Sequence, residues 1–148
     1  MRKNDLRFVL VLLGAVLMLS GSAAWANWPP SVYDIIALQR GGSNLVDIHY
    51  SLADPEGDSS SVNVYLSTDG GQTYPVHCIT VSGDVGGGVL PGSGRHIVWD
   101  AGGDFPGYNG NDCRIKIVAD DGGGSLSGFV HIAGGQFVMG SPGTESGH

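Results

Sequence analysis

Leu45-Val-Asp-Ile-His-Tyr-Ser-Leu52 is the stretch from which the fold can be read. Val46, Ile48, Tyr50 and Leu52 fall on one side of an extended chain, and Asp47, His49 and Ser51 on the other. A period of two predicts a strand with one buried and one solvated face, because successive side chains leave opposite sides of the pleat. The alternation recurs at Val62, Val64 and Leu66 against Asn63, Tyr65 and Ser67. It returns at Cys113, Ile115, Ile117 and Ala119 against Arg114, Lys116, Val118 and Asp120. Weaker strands are expected over 32–38, 76–81 and 95–100.

Turn chemistry separates these segments. Gly41-Gly42, Asp54-Pro55-Glu56-Gly57-Asp58 and Asp69-Gly70-Gly71 supply the residues that tight backbone geometry needs, the last as a hairpin tip. The clusters Gly86-Gly87-Gly88 and Gly122-Gly123-Gly124 read as punctuation between strands. Six short strands at this spacing predict an all-β, antiparallel β-sandwich. One sheet of six strands would leave an apolar face wet, so two layers are expected, with Tyr50, Trp99 and the aliphatic faces between them.

The N-terminus carries a compartment signal. Arg2, Lys3 and Arg7 precede an apolar run from Phe8 to Leu19, and Ala24-Trp25-Ala26 follows as a small-x-small cleavage site. That layout predicts a secretory signal peptide over residues 1–26 and a secreted or periplasmic protein. The run is shorter than the roughly 20 residues of a membrane span, and no cysteine follows it to take a lipid, so no membrane association is expected after cleavage. The chain has a formal net charge of −7, and the leader removes three basic residues but only one acidic residue. So acidic a chain repels phosphate backbones, which argues against nucleic acid as a partner.

Residues 27–122 are expected to form the sandwich, 123–127 a Gly/Ser linker, and 128–148 the start of another domain. Some twenty residues cannot bury a core of their own, so the ending reads as a truncation.

Two resemblances follow from these stretches. Gly128-Phe-Val-His-Ile-Ala-Gly-Gly-Gln-Phe-Val-Met-Gly-Ser-Pro142 resembles the opening of the sulfatase-modifying-factor family, the formylglycine-generating enzymes and their relatives. The motif positions are Gly134, Gly135, Phe137, Met139, Gly140 and Ser141. The resemblance covers only the end of the chain. It implies that the family's copper-binding cysteines, and any oxidation of a substrate cysteine in an exported client, would lie in a missing continuation. Residues 32–121 look like an immunoglobulin- or fibronectin-type-III-like module of the kind that acts as a spacer or adhesion element.

Five further features bear on possible sites. Cys78 and Cys113 would reach an oxidising compartment, which tips the reading toward a disulfide closing a loop of about 35 residues; two buried free thiols are the alternative. Asp54, Glu56 and Asp58 place carboxylates at alternate positions and are weak calcium candidates, with a plain polar turn the expected reading. Asp100, Asp104, Asp120 and Asp121 could share one end of the sandwich, on the same terms. Ser67-Thr-Asp-Gly-Gly-Gln-Thr-Tyr74 matches the Asp-box pattern, read as a structural turn. His49, His77, His96, His131 and His148 show no ligand-like spacing.

No catalytic residue and no cofactor is assigned to this chain. The expected function is the exported front of a formylglycine-generating-type protein, the sandwich acting as spacer or docking module. The alternative is a self-contained module that binds a cell-surface glycan or another surface partner.

Overall fold

The computed structural model describes residues 27–123 and 135–139. The expected signal peptide over 1–26, residues 124–127 of the expected linker and the motif residues Gly134, Gly140 and Ser141 lie outside the described residues. The elements are β1 (Ser31–Gln39), β2 (Leu45–Ala53), β3 (Ser60–Ser67), β4 (Val76–Cys78), β5 (Val81–Gly83), β6 (Gly86–Val89) and β7 (Gly92–Asp100). A single helical turn α1 (Ala101–Asp104), β8 (Gly110–Asp120) and β9 (Gly135–Met139) follow. They form two antiparallel sheets, ordered β1-β2-β7-β5 and β4-β3-β8-β9, with β6 added to β3. The protein is an all-β sandwich.

The alternation in β2 produces the inner layer as expected. Val46, Ile48, Tyr50 and Leu52 are buried, as are Val62, Val64 and Leu66 on β3 and Cys113, Ile115 and Ile117 on β8. Trp99 is fully buried between the sheets. Both large polar-tipped rings find partners: Trp99 Nε1–H donates to Asp104 at 2.9 Å, and Tyr50 Oη–H donates to the Asp84 carbonyl at 2.6 Å. A buried indole or phenol left unpaired would cost the desolvation of its polar atom.

The expected strand over 76–81 is two strands in different sheets. β4 pairs with β3, whereas β5 pairs with β7. Between them the chain crosses the sandwich at Ile79-Thr80, where the Asp104 carboxylate receives the Ile79 N–H (2.6 Å), the Thr80 N–H (2.9 Å) and the Thr80 hydroxyl (2.6 Å). A carboxylate replaces the ladder partners those backbone groups lose on leaving one sheet for the other. β5 ends at Gly83, whose φ is +101° and where a Cβ would collide with the His96 carbonyl oxygen. The glycine cluster at 86–88 also departs from expectation, since it forms β6 against β3.

The core does not end at the expected linker. Phe137 and Met139 of β9 are buried, in register with Cys113 and Gly110 of β8. The Phe137 ring meets Trp99 edge-on, with centroids 6.4 Å apart and planes at 87°. Residues 135–139, expected to open a separate domain, thus complete the second sheet of this one. Their alternation is what lets them do so, because it turns two large apolar side chains to one face.

Candidate functional site

The acidic turn is closed by its own first residue. Asp54 Oδ1 accepts the backbone N–H groups of Glu56 at 3.0 Å and Asp58 at 2.9 Å. Asp54 Oδ2 is buried without a partner among the described residues, but calcium takes six to eight oxygens. No group of three or more His, Cys, Asp or Glu able to hold a metal occurs among the described residues. Asp100 and Asp104 are likewise committed, Asp100 capping α1 by accepting the Gly103 N–H at 3.2 Å and Asp104 holding the Ile79-Thr80 crossing.

The disulfide reading needs correction. Cys78 lies opposite Val64, and Val64 opposite Ile117, which is four residues along β8 from Cys113. Two strand spacings across and four residues along separate the cysteines by roughly 16 Å, far beyond the roughly 7 Å at which a disulfide can close. Both are buried free thiols, and burial pushes each thiol up in pKa. Copper of the kind the resemblance implies would need paired thiolates, so these two do not fit it.

The Asp-box folds as a turn. Asp69 accepts from the Ser67 hydroxyl (2.6 Å), the Thr73 hydroxyl (2.6 Å) and the Thr73 N–H (2.9 Å), while Ser67 Oγ accepts the Gly71 N–H at 2.8 Å. The Ser67 and Thr73 bonds hold the Asp69 carboxyl well below the ordinary range.

The two outer faces differ in character. On the second sheet Tyr65 stacks on His77 at 4.9 Å, and the Lys116 ammonium sits 5.1 Å from the Tyr65 ring centre and 4.9 Å from that of Tyr74. This ladder fills itself across the strands. On the first sheet Asp47 forms a bidentate pair with Arg40 (2.7 and 2.8 Å) and bonds the His96 ring at 2.7 Å. Those bonds, Arg40 first, hold its carboxyl far below the ordinary range.

A cleft opens at the end of the sandwich where β1 turns into β2 and β7 runs into α1. It is lined by Gln39, Asn44, Phe105, Tyr108, Asn109 and Met139, with α1 backbone between them. The Asn44 carbonyl accepts the Ala101 N–H at 3.0 Å and ties the two corners together. Gln39 donates to the Ser43 carbonyl at 2.7 Å, which orients its amide. The Phe105 and Tyr108 rings lie 4.9 Å apart, tilted by 41°. Rings and carboxamides together can offer an apolar platform beside paired donors and acceptors, the chemistry that suits a polyhydroxylated ligand. None of the six residues was singled out for this role from sequence. The Phe105-Pro-Gly-Tyr-Asn109 turn was the available signal, but its partners lie some 60 residues upstream and 30 downstream. No family model, no curated protein and no solved structure matches the chain.

Proposed function

We propose that this chain is a non-catalytic β-sandwich module of an exported protein and that its end cleft holds a cell-surface saccharide. The observation behind this reading is the meeting of Phe105 and Tyr108 with Gln39, Asn44 and Asn109 at one end of a rigid two-sheet frame. A sugar presents an apolar face to a ring and hydroxyls to amides, and a loop cleft on a fixed scaffold places both. Glycan-array screening followed by calorimetry tests it. Tyr108→Ala and Asn109→Ala are each expected to weaken binding about tenfold, the worth of one contact of about 1.4 kcal/mol. Unchanged affinity in both variants, or no glycan bound by the unsubstituted chain, would sink the reading.

A second reading rests on the sequence run at 134–141 alone, although the sandwich takes 135–139 as its own β9: the module precedes a sulfatase-modifying-factor-type domain and serves as its spacer or as a dock for an exported client protein. Sequencing the coding region past His148 addresses it. A continuation of about 200 residues, the size of a domain, and rich in Trp, Gly and Asn supports it; a stop codon there removes it. In either reading, residues 27–148 generate no formylglycine on a sulfatase-type peptide.

A further inference from the structure

Strands β2 and β7 are neighbours, and their register sets His49 directly opposite His96. Both rings lie on the outer face of the first sheet, stacked with centroids 4.5 Å apart and planes within 10°. His49 is exposed, and the His96 side chain keeps 40% of its surface open to solvent. Residues directly opposed across two strands have Cβ atoms about 4.5–5.5 Å apart, close enough for two imidazoles to share one ion.

The surroundings make one of these rings a prepared ligand. Asp47, on the same face two residues before His49, bonds His96 Nε2 at 2.7 Å. A carboxylate on the far nitrogen fixes the tautomer and the ring's orientation, leaving the near one, here Nδ1, as the donor to a metal. Asp47 is itself held by the Arg40 guanidinium, whose positive charge it offsets. His49 makes no hydrogen bond among the described residues, so turning its ring about the Cβ–Cγ bond to bring a nitrogen toward His96 gives up only the stacking contact.

We propose that His49 and His96 form a two-imidazole site for a divalent transition ion, with Asp47 positioning His96 and water completing the coordination shell. Imidazole donors suit Cu2+, Ni2+ and Zn2+, with Cu2+ held most tightly, whereas Mg2+ and Ca2+ require oxygen. Two protein ligands make an open, exchangeable site. The site shares no residue with the end cleft and stands or falls independently of saccharide binding.

Titration of the full chain with CuCl2, NiCl2, ZnCl2 and MgCl2, by calorimetry and by histidine ring NMR, tests the proposal. The expected result is one Cu2+ per chain at this site, weaker Ni2+ and Zn2+, no Mg2+, and early perturbation of the His49 and His96 signals. His49→Gln and His96→Gln should each lower Cu2+ affinity at least tenfold, and His77→Gln should leave it unchanged. Asp47→Asn should lower it about tenfold and move the ring-nitrogen shifts that report the His96 tautomer, a readout that loss of the Arg40 pair alone would not move. Affinity unchanged in both His49→Gln and His96→Gln, or perturbation confined to His77, His131 and His148, would overturn it.

Discussion

Asp104 joins three parts of the chain: the α1 turn it ends, the Ile79-Thr80 crossing and the indole of Trp99. Replacing it by alanine takes the acceptor from a buried indole N–H and from two backbone donors where the chain changes sheet. Asp104→Ala is therefore expected to cost about 1–3 kcal/mol, mainly the penalty of orphaning the buried indole donor, since the exposed Ile79 and Thr80 groups can turn to water, read as a lower urea midpoint. Burial pushes the Asp104 carboxyl up, but the bonds from Thr80, Trp99 and Ile79 outweigh it and leave the group below its ordinary value of 3.8. Asp47 and Asp69 are lowered in the same direction by their hydrogen bonds. A carboxyl lowered only in the folded state contributes stability that is complete above its unfolded value and is lost as pH falls through the folded one. Urea midpoints should thus be flat from pH 7 to about 5 and fall below about pH 4. The fall should be shallower in a chain carrying Asp104→Asn, and an equal fall would remove Asp104 from the account.

At the scale of elements, β9 is the strand whose role the sequence concealed. Its alternation was visible at Phe137 and Met139, but nothing local tells a strand that joins the preceding sheet from one that opens the next domain. The decision is made by Trp99, whose ring packs at a right angle to that of Phe137, and by the β8 backbone, which has ladder groups to fill. Phe137→Ala is expected to destabilise the protein by about 3–5 kcal/mol, measured by thermal or urea unfolding. A strand that merely began another domain would leave the unfolding of the sandwich unmoved. The split of 76–81 into β4 and β5 was hidden for a related reason, since a three-residue strand has no periodicity to read and its crossing depends on Asp104, some 25 residues away. By contrast, β2, β3 and β8 run eight residues or longer and were legible because each repeats its inward choice at least three times.

For the whole molecule, the sheet order decides the fate of the cysteines. Because β3 lies between β4 and β8, Cys78 and Cys113 cannot meet, whatever compartment the chain enters. Two free thiols per chain are expected to react with a thiol reagent in denaturant, with little reaction when folded and no change in mass on reduction. A chain with no titratable thiol after unfolding under non-reducing conditions would contradict this register.

Alternation, turn residues and the buried Tyr50 and Trp99 were enough, from sequence alone, to determine a two-layer antiparallel sandwich, because burying one face of each strand is a local demand written at every second position. Only the tertiary structure decided which strands are neighbours. That choice kept the cysteines apart, stacked His49 on His96, gathered Gln39, Asn44, Tyr108 and Met139 around one cleft, and drew 135–139 into the sandwich. Each of these is a relation between residues distant in the chain, set by strand register and by competition for one shared core, and neither leaves a mark on spacing along the sequence.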